Sequence, residues 1–268
     1  RKIETDARFH IRTDVLRKTI ERDIAEGHTP VCVAGAAGAT STGIVDPLDE
    51  LADIAREFKI WFHVDAAYGG FFQLTERGRQ RFEGITRADS ITLDPHKTMF
   101  LPYGTGSLVV RDGATLKHAH QLQAHYLPDP SEDPELFDHA DYSPELTRDF
   151  RGLRVWLPLQ LHGVAAFEAA LDEKLDLAQL VFDRLSEIPE LEVPWSPDLS
   201  LVAFRPRNAT NEDVRALLDR INGSRRVWLS PAPVGDREYL RVCIVSHRTR
   251  RPRIEECIEI IEKAVAQG

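Results

Sequence analysis

The chain has 268 residues, 42% of them hydrophobic and 29% charged, which suits a globular protein with an ordinary core. Its net charge of −9 argues against general affinity for nucleic acid or anionic membrane, since both call for a basic face. No apolar run approaches the roughly 18 residues that span a bilayer. The N-terminal Arg1 to Asp6 has no apolar signal core, and Cys32, Cys243 and Cys257 lack metal-ligand spacing and fit a reducing, cytoplasmic compartment.

Residues 14–26 are predicted as a helix with Leu16, Ile20 and Ile24 on one stripe and Gly27 at its C-terminal end. Residues 31–34 read as a short buried strand, followed by a loop of small residues over 35–43. Asp46 and Pro47 then open a helix, Asp46 as its cap and Pro47 at its first position. Asp49 and Glu50 favour the positive end of its dipole, and Leu51, Ile54, Ala55 and Phe58 form its buried face. A strand over 60–64 ends in Asp65. Another over 91–93 stops at Asp94 and Pro95, where proline removes a donor and disfavours helix for the residue before it. This strand–helix–strand order implies a mostly parallel sheet with helical cover, an α/β architecture.

A turn over 104–106 and a strand over 107–111 follow. Residues 119–144 contain Pro128, Pro130, Pro134 and Pro144 and no sustained periodicity, so they read as a long mobile or functional loop. Helical spacing returns over 146–187, with Pro158 and Gly163 placed to kink or divide it. From about Pro189 the pattern becomes a strand over 200–204, a helix over 211–221, strands over 226–229 and 239–245, and a closing helix over 254–266. The expected division is a large unit over 1–188 and a small α+β unit with an antiparallel sheet over 189–268.

Two strand ends carry the chemistry. Asp65 and Lys97 each lie just past a strand, at the rim where α/β proteins place ligands. An acid and a lysine so placed suggest a pyridoxal phosphate site, because that cofactor needs a lysine for its aldehyde and a carboxylate for its ring nitrogen. Lysine is a poor nucleophile while its pKa stays near ~10.4, and desolvation or neighbouring positive charge frees the amine. His118, His120 and His125 have no fixed further ligands to make a metal site. The basic run 248–253 reads as a solvated turn before the last helix, and Arg148 and Arg151 as ion-pair partners in a structural helix or as ligands of a substrate carboxylate.

Three motifs then occur in order: His63-Val-Asp65-Ala-Ala67-Tyr-Gly-Gly70, Asp94-Pro-His-Lys97 and Arg148-Asp-Phe-Arg151-Gly-Leu-Arg-Val-Trp156. With them the chain resembles the group II pyridoxal-phosphate amino acid decarboxylases, which include the aromatic-L-amino-acid, tyrosine, histidine and glutamate decarboxylases. The resemblance runs along nearly the whole chain and implies the aspartate-aminotransferase-like fold, fold type I. It assigns Lys97 to the cofactor aldehyde, Asp65 to the pyridine nitrogen and Ala67 to one face of the ring. It puts Thr40 on the cofactor's oxygen side and His96 and Asp94 near its phosphate. Family members often have Asn where Asp94 stands and Trp where Thr98 stands, and Gly is frequent at Thr147 in aromatic decarboxylases.

The resemblance also implies that Tyr126, in the irregular loop, protonates the carbon that lost carbon dioxide, with the loop closing over the site from the neighbouring subunit of a homodimer. Family members are much longer, so the chain is expected to be the C-terminal portion of such an enzyme, completed by an upstream segment or a companion chain and binding cofactor poorly by itself. The implied reaction is α-decarboxylation of an L-amino acid, aromatic favoured and histidine open. The alternatives are an aminotransferase or aldehyde synthase on the same fold, or an incomplete non-catalytic subunit.

Overall fold

In the computed structural model, which describes residues 1–120 and 139–267, two four-stranded sheets share one long helix. The first half runs α1 (Thr13–Ala25), β1 (Cys32–Ala36), α2 (Leu48–Phe58), β2 (Trp61–Asp65), α3 (Glu76–Arg81), β3 (Ser90–Leu93), α4 (Pro95–Thr98), β4 (Ser107–Val110) and α5 (Gly113–His120). Beyond residue 138 come α6 (Leu153–His162), α7 (Val164–Ser186), β5 (Leu191–Glu192), β6 (Leu201–Pro206), α8 (Asn211–Gly223), β7 (Ser230–Val234), β8 (Arg237–Cys243) and α9 (Arg251–Ala266).

The first sheet has the order β1-β2-β3-β4. Its first two pairings are parallel and the last antiparallel. Strand alternation sends Phe62 and Val64 to one face, where Leu48, Leu51, Ile54 and Ala55 of α2 and Leu16 and Ile20 of α1 cover them. Each such side chain, fully buried, is worth about 1.5–3 kcal/mol. The other face is polar: Trp61 Nε1 donates to Ser90 Oγ at 2.8 Å, and His63 Nδ1 meets the same hydroxyl at 2.8 Å.

The second sheet, β5-β6-β8-β7, is antiparallel throughout. Val202, Phe204, Leu240 and Val242 face α7, α8 and α9, while Leu201, Ala203 and Tyr239 face Trp195 and Ile44 of the loop after β1. Helix α7 serves both cores. Its Leu171 and Leu175 enter the first, and its Leu177, Ala178, Val181 and Leu185 the second. Gly163, at φ 73 and ψ 159, separates α7 from α6, and Pro158 lies within α6.

Several expectations shift. Asp46 does not cap α2, because the backbone amides of Ile11 and Ala36 each donate to its carboxylate at 2.8 Å; Pro47 takes the cap position without a side-chain bond. Burial outweighs those bonds and raises the Asp46 pKa above the ordinary carboxylate value. The strand expected over 226–229 lies instead at Ser230–Val234. Asn222 holds both the amide and the carbonyl of Leu229, which takes that stretch out of the ladder. Pro231 and Pro233 are tolerated because β7 is an edge strand. Within the irregular stretch expected over 119–144, α5 runs on to His120 and a 3₁₀ turn spans His139–Tyr142. Ile24 is exposed at the last turn of α1 rather than buried with Leu16 and Ile20.

Candidate active site

Parallel pairing brings the carboxyl ends of β1, β2 and β3 to one edge. Asp65 closes β2 opposite Ala36 of β1 and Thr92 of β3. Beyond β3, Pro95 starts the short helix α4 with its fixed φ, and that turn presents His96 and Lys97. Lys97 Nζ lies 2.8 Å from Asp94 Oδ2, and its side chain is 41% exposed. Asp65 Oδ1 accepts from the Ala67 amide at 3.1 Å, and among the described residues its other oxygen takes no hydrogen bond. Ala66 beside it is fully buried, which leaves Ala67 as the small side chain at the rim.

His96 Nδ1 meets the Thr105 carbonyl at 2.7 Å, and its ring packs edge-on against Tyr103. The imidazole therefore fixes the turn that leads into β4. Asp94 is turned toward Lys97 rather than toward backbone, which spends its charge on the amine. Thr40 is exposed in the loop after β1, where Gly38 has φ 103, and Arg241 of β8 donates to the Thr40 carbonyl. Asp65, Ala67, Asp94, His96, Lys97 and Thr40 thus all lie at the carboxyl edge of one sheet. Tyr126 and His125 lie outside the described residues.

Sequence reasoning passed over three side chains. Tyr68 accepts at its carbonyl from Thr98 Oγ1 at 3.0 Å, and its phenol meets Ser200 Oγ at 2.9 Å. Tyr68 sits inside a motif already singled out, whereas Ser200 and Arg241 are far along the chain and have no local signature. Arg148 bonds Ser143 and the His139 carbonyl, and Arg151 bonds Glu145 and Asp149, so both are tied to their own segment. In the basic run, Arg250 pairs with Glu173, Arg251 with Glu255 and Arg253 with Glu256. Among the described residues no group of three or more His, Cys, Asp or Glu could hold a metal ion.

The conserved-domain family described as pyridoxal-dependent decarboxylase matches residues 1–207. The chain belongs to that family. An aromatic-L-amino-acid decarboxylase of Bacillus atrophaeus is 34% identical over 273 residues, covering 99% of this chain and 56% of that protein. The structure of Oryza sativa TDC with PLP and tryptamine matches with a TM-score of 0.93 at 29% identity, covering all of this chain and 57% of that one. Catharanthus roseus tryptophan decarboxylase in complex with L-tryptophan gives 0.90 at 29%, covering 99% and 56%. The fold is thus the fold type I architecture of the pyridoxal-dependent decarboxylases, and the chain spans just over half the length of these relatives.

The residues fit the family's cofactor. The cofactor needs an anionic acceptor for its ring nitrogen, an amine for its aldehyde and small side chains where the ring lies. Asp65, Lys97 and Ala67 supply these at one sheet edge.

Proposed function

We propose that this chain carries the lysine-bearing part of a pyridoxal-phosphate-dependent decarboxylase acting on aromatic L-amino acids. The observation that carries the reading is the pairing of a carboxylate with one free oxygen, Asp65, and an accessible amine, Lys97, on neighbouring carboxyl ends of a parallel sheet. The relatives' names, which include aromatic-L-amino-acid and tryptophan decarboxylases, favour an aromatic substrate.

Bound here, pyridoxal phosphate supplies the electron sink that accepts the pair left when carbon dioxide departs. Lys97 Nζ would be the amine that holds the cofactor through its aldehyde carbon, where a substrate amine must also reach. The free oxygen of Asp65 holds a proton at the ring nitrogen, which stabilises charge developing in the transition state. As the family resemblance implies, Ala67 would support one face of the ring, Thr40 would lie toward its oxygen side, and His96 and Asp94 would lie toward its phosphate. Tyr126 returns a proton to the substrate carbon.

The protein is proposed to act in the cytoplasm as a homodimer, with a further segment or companion chain completing each site. Exposed apolar side chains suit such cover: Leu108 and Val109 on the edge strand β4, and Phe150, Trp156 and Leu161 on and before α6. The test is a product screen of the complete protein with pyridoxal phosphate over aromatic, acidic and basic L-amino acids. Amine and carbon dioxide from an aromatic substrate are expected. Aldehyde or keto acid in place of amine, or no turnover of any substrate, would overturn the reading.

A further inference from the structure

Four segments of the chain meet at one residue that carries none of the chemistry. Tyr68 lies three residues after Asp65, in the loop that leaves β2. Its carbonyl accepts from Thr98 Oγ1 at 3.0 Å, and Thr98 is the residue next to Lys97. Its phenol oxygen accepts from the Ser200 amide at 2.9 Å and pairs with Ser200 Oγ at 2.9 Å. Ser200 is itself buried just before β6, where its carbonyl accepts from the Ile244 amide. The loop that carries Thr40 presses on the same ring, since a Cβ on Gly38 would stand 2.7 Å from Tyr68 Cδ1. Next to it, a Cβ on Gly69 would stand 2.1 Å from the Ala37 carbonyl, so the two loops touch backbone to backbone.

We infer that Tyr68 is a positioning residue: through its carbonyl and its phenol it ties the Lys97 turn and the second sheet to the Asp65 loop, and so sets the spacing of amine and carboxylate. Asp65 and Lys97 are held by different strands, and α4 is a single turn that does little to fix its own orientation. The Thr98 bond is a side-chain hydrogen bond between that turn and the Asp65 loop, and it adds direction to the apolar packing of Met99 against Phe71. Thr98 is 1% exposed, so its hydroxyl has no water to turn to if the bond is lost. The phenol carries the constraint on to β6, so the second sheet supports the site without contributing a group to it.

The inference rests on the proposed cofactor chemistry, and the experiment separates the two. The whole protein and its variants are mixed with sub-saturating pyridoxal phosphate and reduced with borohydride, and the label at Lys97 is quantified by peptide mass mapping. The pH profile of the bound cofactor's absorbance and the unfolding midpoint are recorded alongside. Thr98→Val, which keeps the shape and removes the donor, is expected to label about five- to tenfold less at Lys97 and to shift the pH profile. Thr98→Ser should restore both, and Tyr68→Phe, which keeps the carbonyl and removes only the phenol's bonds to Ser200, should lower the label in the same direction by a smaller factor.

Val214→Ala, a cavity in the second core far from the loops, is the control for stability alone and should label like wild type. Wild-type labelling in Thr98→Val, or labelling that merely follows the unfolding midpoint across all variants including Val214→Ala, would overturn the inference while leaving the function standing. No label at Lys97 in wild type would overturn both.

Discussion

The two sheets of this chain do different work with similar numbers of strands. The antiparallel one is covered on both faces, by α7, α8 and α9 on one side and by Trp195 and Ile44 on the other. Among the described residues the mostly parallel one is covered on a single face, and its carboxyl edge is lined by Asp65, Asp94, His96 and Lys97, all exposed or half-buried. Antiparallel strands alternate their ends, so no edge of the second sheet gathers one kind of group. Parallel strands point their ends the same way, and loops from successive strands then meet. Stability and chemistry are therefore expected to respond to substitutions in different sheets.

The most severe test of that separation is Lys97→Ala. It should abolish covalent uptake of pyridoxal phosphate, read as loss of the borohydride-trapped adduct, and leave the urea midpoint nearly unchanged. Among the described residues its one ion pair is a partly exposed one with Asp94, of the kind worth about 0–1 kcal/mol. The mirror-image experiment is Phe204→Ala, in the second sheet, where the side chain is fully buried. Truncating it should cost about 3–5 kcal/mol in unfolding free energy. If Phe204→Ala were stable and Lys97→Ala unfolded, the assignment of roles to the sheets would be reversed. Asp65→Asn sharpens the comparison within the site. It keeps the side chain's size but loses the anion, and should lower decarboxylation by about 10²–10³-fold with stability unchanged.

The candidate site residues were legible in the sequence because Asp65 and Lys97 each sit in a compact local motif at the end of a strand. The elements around them were also readable from apolar spacing, as with Leu51, Ile54 and Ala55 on α2. What was not readable depends on distant partners. Asp46 looks like a helix cap from its neighbours, yet Ile11 and Ala36 claim it through the folded N-terminal segment. The prolines at 231 and 233 argue against a strand until β7 is known to be an edge. Tyr68 and Ser200 stand 132 residues apart, and no local pattern announces that bond.

The smallest expected effect belongs to the second core and to alkaline pH. Cys257 on α9 is 4% exposed among apolar neighbours, and burial, aided by the charge of Glu256, pushes its thiol from an ordinary 9.0 up to about 11. Unfolding returns the thiol to water, where it loses its proton near 9.0, while the folded protein keeps that proton until about 11. The folded state thus binds the extra proton, so its advantage is fully present below pH 9 and is lost as pH rises toward 11. Two pKa units correspond to about 2–3 kcal/mol. Urea midpoints measured across this range should fall more steeply for the wild type than for Cys257→Ala, which has no thiol to titrate. Because the first sheet takes no part in that titration, cofactor uptake at Lys97 should show no step that disappears in Cys257→Ala. Equal slopes in the two proteins would mean that water already reaches the thiol, and that the second core is less tightly closed than its packing indicates.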